Sequence, residues 1–170
     1  MCTDLLAYLF PFLPLIPRGI LAIWFRQHMR DVLGGPAIDR ANHRTLLAAL
    51  AGFSFAGLLA LVALPGMLTE RQLPIWYMLV SFLAYLAVLN LQGYKAVRWH
   101  DHIGDALYEI ASLGLVAAIL AFILKSHLAL PFRIAATSIA AIVWTVDFVL
   151  RLSFTVSYLR AKEKNDGVKK

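Results

Sequence analysis

Four runs of mostly apolar residues, Thr45–Leu68, Leu73–Tyr94, Ile103–Lys125 and Phe132–Ser157, constrain this chain more than any other feature. Each reaches the roughly 20 residues that an α-helix needs to cross a hydrocarbon layer about 30 Å thick. The chain has 170 residues, 61% hydrophobic and 15% charged. A soluble domain carries about 45–50% apolar and about 25% charged residues, so this excess has no aqueous core to enter. The fold class expected is an all-α integral membrane protein, a bundle of four transmembrane helices preceded by an amphipathic interfacial or re-entrant helix. Residues 1–36 form the N-terminal segment, 37–158 the four-helix domain and 159–170 a basic, solvated tail. No room remains for a separate enzymatic domain.

Prolines punctuate the runs. Pro65 ends the first, Pro74 opens the second and Pro131 opens the fourth. Lysine and arginine set the expected topology, because cytoplasmic flanks collect them. One side holds Arg18, Arg26, Arg30, Arg40, Arg44, Lys95, Arg98 and the tail cations Arg160, Lys162, Lys164, Lys169 and Lys170. The other holds Arg71, Lys125 and Arg133. Four crossings then place both termini and the 95–102 loop in the cytoplasm, in a bacterial inner membrane.

The N-terminal segment is the ambiguous part. Leu5–Phe25 has no basic residues before it and no small-residue cleavage pattern after it, so it reads as mature chain rather than a signal peptide. Pro11, Pro14 and Pro17 interrupt it. From Arg18 to Leu33 the pattern is helical, with Leu21, Phe25, Met29 and Val32 on one face and Arg26, Gln27, Arg30 and Asp31 on the other. That suits a helix lying in the cytoplasmic headgroup layer. A fifth, proline-kinked span is the alternative, disfavoured because Arg18 would then lie inside it.

Polar residues within the runs carry the functional signal, because each is expensive in lipid. His102, Asp105, Glu109 and Ser112 recur at steps of three and four, which places them on one face of the third helix. Val116, Ile119 and Ile123 continue that face, predicting a polar vestibule that narrows to an apolar constriction. Asp147 and Arg151 lie one turn apart on the fourth helix, and Asn90 and Gln92 lie near the end of the second. Together these make the expected lining of a pore or polar cavity. Three of them have a plainer reading: Asp147 and Arg151 can neutralise each other within one helix, and Asp105 can be solvated near the boundary. Arg18, Arg26, Arg30, Arg40, Arg44, Lys95 and Arg98 form the expected basic cytoplasmic surface, for which positive-inside topology is a sufficient explanation.

Other chemistries are thinly represented. Trp99, His100 and His102 sit in a 98–102 loop where His100 and His102 are weak metal candidates, but no zinc-site spacing accompanies them. The single Cys2 excludes an intramolecular disulfide and a cysteine cluster. Walker, dinucleotide, nucleophile-elbow and zinc signatures are all missing, so no catalytic residue and no cofactor is expected. Ala48, Gly52, Ala56 and Ala60 on the first run, and Gly114 with Ala118 on the third, form small-xxx-small ladders suited to close helix contact.

The layout looks like that of several small bacterial membrane proteins, holin-like pores and the channel or sensor subunits of anti-phage systems among them. The likeness is of architecture and implies no residue roles. The expected function is a homo-oligomeric channel or membrane effector, with the lipid bilayer and copies of itself as partners. A cytosolic protein or anionic ligand at the basic face is a further expected partner. The competing readings are a non-conducting anchor that recruits a cytosolic protein, and a membrane enzyme acting on lipid.

Overall fold

The computed structural model describes residues 2–25, 37–63, 68–91, 98–125 and 129–167. They form α1 (Cys2–Leu9), a 3-10 turn (Phe10–Phe12), α2 (Leu15–Trp24), α3 (Ala37–Ala63), α4 (Leu68–Leu91), α5 (Arg98–Lys125) and α6 (Leu130–Gly167). No strand occurs among the described residues. Four helical segments are long and apolar enough to cross a membrane: His43–Ala63, Gln72–Leu91, His102–Leu124 and Leu130–Ala161.

The four helices fall on the four runs read from sequence, with differences at their ends. Helix α4 begins at Leu68 and takes Pro74 inside it, so that proline does not open the helix. Helix α5 begins at Arg98, so the expected 98–102 loop is its first turn. Helix α6 runs to Gly167 through the segment expected to be a solvated tail. Two forces account for the extension. Leu159 packs into the bundle at 1% exposure, and Ala161, Lys162, Glu163 and Lys164 are all good helix formers.

The core lies where α4 packs between α3 and α5. Leu47 and Ala51 of α3 meet Val80, Ala84, Tyr85 and Val88 of α4 and Ile110 and Ala111 of α5. Above them Leu61, Tyr77, Met78, Ala117 and Ala118 form a second cluster. Alternating large and small side chains let the three helices interlock. The buried face of α3 is therefore Leu47, Ala51, Ser54 and Leu61, while Ala48, Gly52, Ala56 and Ala60 are exposed. The ladder expected to bring α3 against its neighbours points away from them. On α5 the expectation and the packing agree. A Cβ on Gly114 would lie 2.6 Å from Ser81 Oγ and 3.1 Å from the Tyr77 carbonyl, so glycine is what lets α5 approach α4.

The N-terminal segment is built by its prolines. A proline at position i removes the N–H that the carbonyl at i−4 would have accepted. Pro11, Pro14 and Pro17 thus free the carbonyls of Ala7, Phe10 and Leu13. Tyr77 Oη donates to Ala7 O at 2.7 Å, Leu13 N–H to Phe10 O at 3.2 Å and Ile16 N–H to Leu13 O at 3.2 Å. Trp76 Nε1 donates to the neighbouring Tyr8 O at 3.0 Å. The result is two helices bent by 46° and pinned to α4 by side-chain donors.

From that bend the segment runs down α5. Ala7 and Tyr8 lie beside Tyr77 and Trp76, Pro11 beside Gly114, and Arg18 beside Glu109 and Asp105. Helix α2 ends at Trp24, with Phe25 as its cap. The remainder of the predicted Arg18–Leu33 helix lies outside the described residues.

Candidate functional site: a polar cluster where α2, α5 and α6 meet

Arg18 is the centre of the site and the main departure from the sequence reading. It is 2% exposed and forms no part of a basic surface. The reason is its register: on α2 it shares a face with Leu21, also buried, and that face lies on α5. Its Nε donates to Glu109 Oε2 at 3.0 Å and its Nη2 to Glu109 Oε1 at 2.5 Å, a bidentate fork. Nη1 donates to Thr155 Oγ1 at 3.3 Å and lies 3.5 Å from Asp105 Oδ2. All three guanidinium nitrogens are therefore occupied, by residues of two other helices.

The polar stripe of α5 supplies most of those partners. His102 Nε2–H donates to the backbone carbonyl of Arg18 at 2.9 Å, which fixes the imidazole against α2 rather than toward a ligand. Glu109 is also 2% exposed, so it does not line an open vestibule; α2 fills the space in front of it. Asp105 differs, with 51% of its side chain exposed. One turn beyond Glu109, Ser112 Oγ donates to the Glu109 carbonyl at 3.1 Å and accepts from Trp144 Nε1 of α6 at 3.3 Å.

Helix α6 closes the third side. Arg151 Nε donates to Asp147 Oδ2 at 2.8 Å, the intrahelical pair that the spacing allows. The Arg151 guanidinium lies 4.4 Å from the centre of the Tyr108 ring, a cation–π contact with α5. Thr155 Oγ1 donates to the Arg151 carbonyl at 3.0 Å, linking the two arginines through one hydroxyl. Both members of the α6 pair stay partly open, Asp147 at 48% and Arg151 at 38% exposure. Two arginines thus face three carboxylates, and Asp105 supplies the surplus negative charge.

The structure brings Asp105, Glu109, Ser112, Asp147 and Arg151 together, adds Thr155, Trp144 and Tyr108, and recruits Arg18 and His102. Asn90 is exposed on α4 and has no contact with the cluster among the described residues. Gln92, Arg26, Arg30 and Lys95 lie outside the described residues, as do the side chains of Arg40 and Arg98. Arg44 is exposed on α3. Among the described residues no three His, Cys, Asp or Glu side chains converge on a metal position, His100 and His102 included. The signal for Arg18 as a partner was present in the sequence: an arginine in an otherwise apolar stretch requires a carboxylate, and the α5 stripe offered two.

No protein-family model matches the chain, and comparison with curated proteins and with solved structures finds no match. Fold and site therefore define a class only: an all-helical chain with four helices apolar enough to cross a membrane and an ionisable cluster shared by three of its helices.

Proposed function

We propose that the protein is an integral membrane protein that assembles from identical copies into a cation-conducting channel, with the groove between α2, α5 and α6 as its polar wall. The observation that carries this reading is the exposure of Asp105 and Asp147. Both belong to helices of spanning length and character, yet about half of each side chain is open. Hydrocarbon does not solvate a carboxylate, so these groups need water, an ion or another protein surface. The surplus carboxylate gives the wall a preference for cations. The closed Arg18–Glu109 fork ties the N-terminal segment over the deeper part of the groove, the place for a gate. In a bacterial inner membrane such an assembly would act as a depolarising effector.

The topology that goes with this reading has five crossings. The path of α1 and α2 down α5 favours a broken span over an interfacial helix with both its ends on one face. It resolves the objection to Arg18 within a span, because Glu109 neutralises it there. The N-terminus and the tail then lie on opposite sides, with the tail in the cytoplasm.

Ion flux from liposomes holding the purified protein tests the function, beside Asp105→Asn. Wild-type flux selective for cations, reduced severalfold by the substitution, is expected. Correctly inserted wild type with no flux above empty liposomes refutes it. A second reading has its own support: Arg18 is fully partnered within the chain, as in a purely structural clamp, which suits a non-conducting anchor.

A further inference from the structure

Helix α6 is the least covered of the four long helices, and it presents two unlike faces. None of its most apolar stretch is buried, whereas 44% of the corresponding stretch is buried in α4 and in α5. Ile142, Val146, Val149 and Phe154 are more than half exposed and need nothing but lipid. Trp144, Asp147, Arg151, Thr155 and Leu159 recur at steps of three and four, which puts them on the other face. That face is turned to α5 and α2. Trp144 Nε1 donates to Ser112 Oγ, the Arg151 guanidinium lies over the Tyr108 ring, and Thr155 Oγ1 accepts from Arg18 Nη1.

Each of those ties joins a group that is also held within its own helix or by a second neighbour. Thr155 Oγ1 donates to the Arg151 carbonyl at 3.0 Å, Arg151 Nε to Asp147 at 2.8 Å, and Ser112 Oγ to the Glu109 carbonyl at 3.1 Å. Arg18 keeps its fork to Glu109, and its Nη1 keeps Asp105 Oδ2 at 3.5 Å. Tyr108 keeps the Tyr85 and His43 rings beside it. Separating α6 from α5 and α2 therefore strands no charge. It costs Trp144 Nε1 its acceptor and Leu159 its burial, so the closed arrangement is the resting one. The start of α6 is tied differently. Arg133 Nη1 donates to the Leu124 carbonyl at 3.0 Å, and Leu124 lies in the last turn of α5, where helical geometry leaves a carbonyl unpaired. Breaking that bond would return the carbonyl to its orphaned state.

We infer that α6 is a lid over the groove between α2 and α5, hinged at its Arg133 end and closed by Trp144, Thr155 and Leu159. The inference deepens the proposed channel, and rests on that reading for what opening does. The lid moves while the Arg18–Glu109 fork and the α3–α5 core stay in place, and its swing wets Asp105 and the face of α5 that carries Glu109. A swing of about 10° about Arg133 moves Phe154 by about 5 Å, since the 21 residues of helix between them span about 30 Å at a rise of about 1.5 Å each.

Spin labels measure the swing. In a Cys2→Ser background, one protein carries Phe53→Cys with Phe154→Cys and another Phe53→Cys with Leu130→Cys; all three positions are more than half exposed. Distances are read by double electron–electron resonance in liposomes, with each labelled chain diluted in unlabelled protein. Trp144→Phe with Thr155→Val removes two of the closing hydrogen bonds and leaves a ring and a β-branched side chain in place. It should lengthen the Phe53–Phe154 distance by several ångströms, or add a population that much longer, and leave the Phe53–Leu130 distance unchanged.

Leu159→Ala is a second route to the same result, since it touches none of the polar ties. A longer Phe53–Phe154 distance in either variant, with the Phe53–Leu130 distance fixed, supports the lid. No change in both variants, or an equal shift at both ends of α6, overturns it. The flux assay keeps the two proposals apart. A lid that moves in liposomes passing no cations removes conduction and leaves the hinge. Flux raised severalfold by the variants with both distances fixed removes the lid and leaves conduction.

Discussion

Replacing both partners of the Arg18–Glu109 fork should do less harm than replacing one. Glu109→Leu leaves a cation that is 2% exposed with only Asp105 at 3.5 Å and the Thr155 hydroxyl at 3.3 Å. Breaking a buried pair in this way costs about 3–5 kcal/mol, and the half-solvated Asp105 recovers only part of it. Arg18→Met leaves Glu109 without its two charged donors. That carboxyl can take up a proton, so the loss is smaller, about 1–3 kcal/mol for a buried polar group without a partner. In the double variant Arg18→Met, Glu109→Leu, side chains of similar volume fill the space and no charge is stranded. Its stability should lie within about 1–2 kcal/mol of wild type, since apolar replacement of a buried ion pair is often close to neutral. The coupling energy of the cycle is then several kcal/mol, far beyond the few tenths expected for independent sites. Reversible unfolding of the four proteins in one detergent measures it. A double variant whose loss equals the sum of the singles would refute the claim that the fork is a desolvated pair. If the double variant is stable and still conducts, the fork is a clamp; if it is stable and flux changes in voltage or ligand dependence, the fork is part of the gate.

Two further outcomes follow from the packing. Gly114→Ala should destabilise the protein by about 1–3 kcal/mol, the usual range for overpacking, because its methyl meets Ser81 Oγ at 2.6 Å and the Tyr77 carbonyl at 3.1 Å. Gly52→Ala, with nothing within 4 Å, should leave the unfolding midpoint unchanged or raise it, and a midpoint ordering of the two variants opposite to this would contradict the packing. Epitopes placed before Met1 and after Lys170 should be reached by antibody from opposite faces of a sealed vesicle; recognition of both from the same face would rule out the fifth crossing.

How far the sequence could be read depended on whether the partner of each residue lay within the same helix. The apolar runs identified α3 to α6 because each run is its own evidence. The polar stripe of α5 was legible for the same reason, since helical periodicity alone puts His102, Asp105, Glu109 and Ser112 on one face. The Asp147–Arg151 pair needed only a spacing of four. What the stripe faces was not legible. Glu109 looked like the wall of a vestibule because nothing in its own helix says that Arg18 fills the space, and Arg18 looked like a cytoplasmic cation because charge counting assigns every arginine to a flank. The same limit explains the small-residue ladders. Gly114 on α5 and Gly52 on α3 read alike in sequence, yet the first touches α4 and the second faces outward.

The prolines show how a local rule can be right while its consequence is misread. Three prolines at a spacing of three do prevent a continuous helix, and in water that would leave a loop. Here each freed carbonyl finds a donor, two from the next turn of the chain and one from Tyr77. The same prolines that interrupt the apolar run are therefore what fit the segment to α4 and α5. A straight helix would carry Arg18 along one axis from the Ala7 contact, whereas the 46° bend lets α1 lie on α4 while α2 lies on α5. Proline bend, tyrosine donor and glycine contact act on one short stretch, between Ala7 and Gly114. That stretch holds the N-terminal segment above the ion pair, so the position of Arg18 is set as much from Tyr77 and Gly114 as from Glu109. A gate built on the fork would accordingly turn about the proline bend rather than by movement of the α3–α5 core.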